Sequence, residues 1–237
     1  MYLLEGNIGA GKSTLLAILK KHLPHIIHKE EPVDTWHGTL EQQGLLEHFY
    51  ADQQRWAFTM ESFTLISRIN ELLKSDRSSF SSTPFISERS FYSGFYCFAY
   101  LGYKNNTLSP LEWKLYQELF TFLVQKNPFT PRGFIYLATD PETCHARINK
   151  RKRSGESEIP FTYLQALHDR HESFLINEKD NNPLLQNIPV LYIDGSIEFE
   201  YDHEKVTEMC QKIDQFVTQT YKPQPSLQLE TSSLFSH

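Results

Sequence analysis

Gly6-Asn7-Ile8-Gly9-Ala10-Gly11-Lys12-Ser13 spells G-x-x-x-x-G-K-S without a gap, and its flanks decide how it folds. Before it stand Tyr2, Leu3 and Leu4, a short apolar run ending in Glu5. After it Leu15, Leu16, Ile18, Leu19 and Leu23 recur at helical spacing. Strand, glycine loop and helix, in that order, are the setting the motif requires. The glycines let the main chain curl without Cβ clashes, so successive N–H groups point at an anion at the positive end of a helix dipole. Lys12 adds a point charge for outer phosphates, and the Ser13 hydroxyl suits Mg²⁺. A glycine turn that merely joined strand to helix would have no use for Lys-Ser. The stretch from Gly6 to Thr14 thus predicts a nucleoside triphosphate site and leaves the acceptor open.

Working outward, the 237-residue chain is long enough for one sizeable α/β core. Residues 1–221 read as one domain, and the Pro-, Ser- and Thr-bearing stretch 222–237, which lacks periodicity, reads as a loose tail. A net charge of −6 argues against a nucleic-acid-coating surface. Cys97, Cys144 and Cys210 are odd in number, far apart and without C-x-x-C spacing, so neither a disulfide framework nor a zinc site is suggested. No apolar run approaches membrane-spanning length, and the first strand begins at Met1. The expectation is a soluble, cytoplasmic protein with no nucleic-acid or membrane partner.

Ile26 to Lys29 reads as a second strand feeding Glu30-Glu31-Pro32-Val33. Leu40 to Leu73 reads as a long helical stretch, broken at most once, and Pro84 to Ser87 as a third strand delivering Glu88-Arg89-Ser90. Helical stretches over Phe91 to Tyr103 and Pro110 to Lys126 precede a fourth strand, Gly133 to Ala138. Asp140-Pro141-Glu142 then opens a helix with an N-cap aspartate and proline at its first position. Phe161 to Ile176 is helical, Pro189 to Ile193 a fifth strand, and Glu204 to Val217 a last helix. This alternation predicts an α/β P-loop kinase fold: a five-stranded parallel sheet with helices on both faces and the strand C-termini along one edge. Glu5, Glu31, Glu88 and Asp140 all fall at or just past those ends.

Phosphoryl transfer to a hydroxyl needs a base, a metal site and cations for the charge in transit. Glu31 is the best-placed base, Glu88 the metal-side carboxylate with Ser13, and Arg89 a phosphate contact. A solvated acid or a neighbour ion pair is the bland alternative for each. Arg147, Lys150, Arg151, Lys152 and Arg153 form the one basic cluster, followed by Ser154-Gly155, and read as a lid over about 147–158; a charge run is more often a solvated face. His145, His168 and His171 lack metal-ligand spacing and read as ordinary surface histidines. Most of the many aromatics should be core, with one or two left to stack on an acceptor.

With these residues placed, the chain resembles the deoxyribonucleoside kinase family of deoxycytidine, deoxyguanosine and mitochondrial thymidine kinases. The resemblance rests on Gly6 to Thr14, Glu31-Pro32-Val33-x-x-Trp36, Arg55-Trp56-x-Phe58, Glu88-Arg89-Ser90-x-Tyr92-Ser93, the lid, and His168-x-x-His171-Glu172-Ser173-Phe174, all in family order. It implies that Glu31 is the general base for a 5′-hydroxyl and that Arg89, with Lys12, stabilises the transferring phosphoryl group. Glu88 would help hold Mg²⁺ beside ATP, the phosphate donor. Tyr50 and Glu172 would grip the sugar 3′-hydroxyl, Trp36 and Phe98 flank the base, and Met60 line the pocket. Arg147, Arg151 and Arg153 match the lid arginines, and Asp194 to Phe199 the loop around adenine. A homodimer through a helical interface is also implied.

Two positions depart from the pattern. The base-reading glutamine of relatives is replaced by Glu61, and Gly94 replaces the acidic partner of Arg68. An ionised carboxylate only accepts hydrogen bonds, so it suits guanine, which presents N1–H and N2–H side by side. Arg68, left without its acid, would be free for guanine O6. A preference for deoxyguanosine is the expectation. The rival readings are a thymidylate-type nucleoside monophosphate kinase, which would want a cation where Glu31 stands, and a non-catalytic nucleotide-sensing module, against which intact Lys12, Ser13, Glu31, Glu88 and Arg89 argue.

Overall fold

A computed structural model describes residues 1–33, 36, 44–74, 83–126, 130–151 and 159–221. Its centre is β1 (Tyr2–Glu5), buried along its whole length. Parallel neighbours flank it: β3 (Phe85–Glu88) on one side and β4 (Gly133–Ala138) on the other. Outside them lie β2 (Ile27–Lys29) and β5 (Val190–Asp194), giving the order β2-β3-β1-β4-β5. Strand period decides which side chain meets which layer. Leu3, Phe85, Phe134 and Tyr136 enter one apolar cluster, whereas Tyr2, Leu4, Ile86, Ile135 and Leu137 enter the other.

The first cluster is closed by α3 (Gln53–Lys74), by α4 over residues 91–104 and by α5 (Pro110–Lys126). The second is closed by α1 (Lys12–His22), α6 (Pro141–Arg151) and α8 (His203–Thr220). Helix α7 (Phe161–Glu172) supplies side chains to both, Leu167 to one and Leu164 to the other. After β1 the chain moves to β2 and β3, then crosses to β4 on the opposite side. The strand ends of β1 and β3 therefore form the switch point where an α/β sheet opens a ligand crevice.

The predicted helix from Leu40 is broken once, as expected, and Leu40 to Gln43 lie outside the described residues. Helix α2 (Leu45–Ala51) ends at Asp52, whose carboxylate accepts from the Arg55 N–H at 3.0 Å and so starts α3. Asp140 caps α6 through the Thr143 N–H at 2.6 Å. Two π turns, Gly94–Ala99 within α4 and Ser173–Asn177 after α7, were not expected; one extra residue per turn leaves no clear mark in apolar spacing. All three cysteines are buried and free. Among the described residues no helix is long and apolar enough to cross a membrane. Lid residues 152–158, Arg153 among them, and the 222–237 tail lie outside the described residues.

Candidate active site

A cleft of about 1040 Å³ opens at the switch point, lined from Ile8, Gly9 and Gly11 to Thr14 at one end and by α2, α3 and α4 at the other. The glycine loop is held from three directions. The Asn7 side-chain amide donates to the Leu164 carbonyl at 2.9 Å, the Thr139 hydroxyl to the Ala10 carbonyl at 3.0 Å, and Arg147 to the same carbonyl at 3.0 Å. Gly9 has φ 76°, and a Cβ there would sit 2.5 Å from the Cys144 carbonyl oxygen. Only glycine lets the loop pass so close to α6. Lys12 Nζ donates back to the Gly6 and Asn7 carbonyls at 3.1 and 2.7 Å. Burial, reinforced by Arg89, lowers its ammonium to about 8.

The Ser13 hydroxyl donates to Glu88 Oε1 at 2.8 Å. Two hard oxygens thus stand together beside the phosphate loop, the donor type Mg²⁺ takes alongside phosphate and water. Arg89 follows β3 in a left-handed backbone conformation, φ 57°, its N–H held by the Leu4 carbonyl at 2.8 Å. That conformation costs a non-glycine residue about 1–3 kcal/mol, and it comes with a guanidinium that lines the cleft over the Phe98 ring, 4.7 Å from its centroid. Arg89 Nη1 is buried without a hydrogen-bond partner among the described residues.

Glu31 sits between two arginines. Arg68 Nη2 and Nε reach its Oε1 at 2.6 and 3.1 Å, and Arg89 Nε reaches its Oε2 at 3.3 Å. Burial favours the protonated acid, but Arg68 and Arg89 outweigh it and hold the carboxyl below its ordinary value. Arg68 is therefore not free for a base carbonyl, contrary to the sequence-based expectation. Gly94 is the reason: a Cβ there would lie 3.0 Å from Arg68 Nη1, and with no acid at that position the guanidinium turns to Glu31. Gly94 itself does not line the cleft.

Glu61, on α3, faces the same cleft with Met60, Trp36, Tyr50 and Phe98. No hydrogen bond or ion pair joins its carboxyl to another described residue. Burial raises it to about 7, against the opposing pull of Arg68 and Arg89. Behind it the Tyr116 hydroxyl of α5 is buried and unpartnered among the described residues, 3.6 Å from the position a Gly94 Cβ would take.

Two further expected site residues stand elsewhere, and one histidine read as superficial is buried. Glu172 accepts from the Tyr136 hydroxyl at 2.8 Å, beside Tyr192 and outside the cleft lining, so it is withdrawn as a sugar contact. The end of α7 carries it past the cleft, which Ile159, Pro160, Thr162, Tyr163 and Ala166 of that region line. Asp194, the last residue of β5, is exposed and holds the Ser196 N–H at 2.9 Å; Glu198, Phe199 and Glu200 line the cleft instead. His171 is fully buried rather than superficial, with Nδ1 at 2.7 Å from the Leu167 carbonyl, and burial lowers it to about 3. Arg147 and Arg151 both line the cleft, joined by Lys150. Sequence reasoning also missed Tyr163, although its spacing from Pro160 and Ala166 marks one helix face.

The deoxynucleoside kinase family profile matches residues 3–218. A probable deoxycytidine kinase of fowlpox virus is 32% identical over 92% of this chain and 88% of its own length. The mitochondrial deoxyguanosine kinase of Xenopus laevis is 33% identical over 90% of this chain and 88% of its own. Human deoxycytidine kinase is 33% identical over 91% and 90%. With the glycine loop, the paired Ser13 and Glu88, and Glu31 gathered at the ends of β1, β2 and β3, the chain belongs to the deoxynucleoside kinase family.

Proposed function

We propose that this kinase transfers the γ-phosphoryl group of ATP to the 5′-hydroxyl of a deoxynucleoside, with Glu31 as general base and guanine as the preferred base of the acceptor. The observation that carries the reading is Glu31 itself: a carboxylate kept ionised by two arginines in the cleft that the phosphate loop shares. An ionised Glu31 can take the 5′-hydroxyl proton as that oxygen bonds to the γ-phosphorus and the bond to the bridging oxygen of ADP breaks. Arg89, one of whose buried nitrogens has no partner among the described residues, and Lys12 neutralise charge on the phosphoryl oxygens. Ser13 and Glu88 would hold Mg²⁺, which supplies further charge neutralisation when bound. Arg147, Arg151 and Phe199 flank the donor end, and Tyr50 is the remaining candidate for the sugar 3′-hydroxyl.

The base preference rests on Glu61 alone now that Arg68 is held by Glu31. Ionised, Glu61 offers two acceptors to the adjacent N1–H and N2–H of guanine. Cytosine and adenine would set a ring-nitrogen lone pair against it. Exposed Phe63 and Ile66 on α3, with Leu111, Leu115 and Phe122 on α5, are apolar at helical spacing and fit a helical homodimer face. Initial rates with ATP and each of the four deoxynucleosides, and with thymidine monophosphate, test the assignment at mildly alkaline pH. Deoxyguanosine should lead by tenfold or more, about 1.4 kcal/mol in the barrier. A lead for deoxycytidine, thymidine or the monophosphate would refute it.

A further inference from the structure

We infer that Glu61 sets the breadth of acceptor bases by its own protonation: ionised, it admits guanine; protonated, it admits cytosine, adenine and thymine as well. The inference deepens the reading above and rests on it. Its ground is the way charge is distributed in the cleft. Glu61 lines the pocket between the Trp36 and Phe98 walls with no described partner of its own, because the one nearby arginine on its helix, Arg68, is forked onto Glu31. Gly94 supplies no acid to draw Arg68 elsewhere.

The groups facing Glu61 come from several elements. Arg68 lies on α3 itself, Glu31 follows β2, Arg89 follows β3, and tyrosine hydroxyls approach from α2 (Tyr50), α5 (Tyr116) and α7 (Tyr163). Both arginines favour the ionised carboxyl, yet they share the Glu31 carboxylate at short range and Arg89 is also faced by Glu5 and Glu88, while burial pushes the Tyr116 and Tyr163 hydroxyls up, away from neutrality. Desolvation therefore prevails and places the Glu61 proton near neutral pH.

The chemistry of the two forms differs in kind. A protonated carboxyl has one O–H donor beside one carbonyl acceptor, the pattern of an amide. It matches N3 and N4–H of cytosine, N1 and N6–H of adenine, and O4 and N3–H of thymine; guanine meets it through O6 and N1–H. The carboxylate has acceptors only and retains a two-point match to guanine, N1–H with N2–H. Losing the proton thus removes three bases and keeps the fourth.

Because kcat/KM reports groups of the free enzyme, the ratio of kcat/KM for deoxycytidine to that for deoxyguanosine isolates Glu61. Glu31, Lys12 and the donor site are common to both substrates and cancel. Between about pH 6 and about pH 8 this ratio should fall about tenfold in the unaltered enzyme, as the protonated fraction falls. In Glu61→Gln, whose amide keeps donor and acceptor at every pH, it should stay flat at or above the wild-type value at the acid end. Calorimetry of deoxycytidine binding at about pH 8 in buffers of differing ionisation enthalpy gives a readout apart from turnover: the unaltered enzyme should take up a proton and Glu61→Gln should not. A flat ratio in the unaltered enzyme, an unchanged slope in Glu61→Gln, or binding without proton uptake would each overturn the inference. If no deoxynucleoside is phosphorylated at any pH, it is the function itself that fails.

Discussion

Glu31 and Glu61 face one cleft and bear the same side chain, yet their proton affinities are driven in opposite directions. Glu31 has Arg68 on one oxygen and Arg89 on the other, and its carboxyl is held below the ordinary range. Glu61 has neither in contact and is raised to about 7 by burial. Burial acts on both; possession of the arginines separates them. Groups whose surroundings push their proton affinities apart mark a division of labour; in the proposed mechanism Glu31 is the group that accepts the proton and Glu61 the one that matches the acceptor.

Glu31→Gln breaks the first half of the comparison and should have the largest effect. Without the carboxylate, turnover with the best deoxynucleoside should fall about a thousandfold, within the span of a lost general base. The thermal midpoint should drop as well, since two buried guanidiniums lose their shared acid, so the folded fraction must be measured beside the rate. Turnover within a factor of about three of wild type in a folded variant would remove Glu31 from the mechanism.

The arginine allocation can be broken more gently. Arg68→Met leaves Glu31 with Arg89 alone, so its proton affinity should rise and the acid limb of kcat should move up by about one pH unit. Gly94→Asp places a competing acid where a Cβ would be 3.0 Å from Arg68 Nη1, and should move the limb in the same direction by less. Loss at neutral pH should be about tenfold or smaller in either case. An unmoved limb in both variants would mean that Arg68 does not set the state of Glu31.

Why Arg68 turns to Glu31 could not be read along the chain, because three elements meet to decide it: α3, the segment after β2, and the missing side chain at Gly94. The phosphate loop, Glu31 and Glu88 were legible because local order specifies them, an apolar run followed by glycines or acids at a strand end. All five strands were legible to within a residue at their ends. Glu172 was misplaced because a motif fixes its sequence position and not its helix face. The burial of His171 could have been read: Leu164, Leu167, His171 and Phe174 follow one apolar helix face, and a histidine in such a row belongs to the core. Glu198 lies in a loop without periodicity, where only the folded chain shows that it, and not Asp194, turns into the cleft.

The smallest effect is one of stability, and it sharpens the comparison by sign. Glu31 has a folded-state proton affinity below its unfolded value, so it stabilises the fold above about pH 4.5 and loses that contribution as pH falls through the lowered value. Glu61 runs the other way. Its affinity rises from 4.5 to about 7 on folding, so no penalty exists below about pH 4.5, where both states carry the proton. The penalty grows as pH rises and is complete above about pH 7. Glu61→Gln removes it. The shift alone corresponds to about 3 kcal/mol, and water reaching the carboxyl through the open cleft cuts this to roughly 1–2 kcal/mol, or about 3–6 °C for a chain of this size. Thermal melts of the two proteins should coincide near pH 4.5 and separate by that margin near pH 8, with the variant the more stable. A separation that does not change with pH would mean that Glu61 keeps an ordinary proton affinity, and that the two glutamates differ only in what they touch.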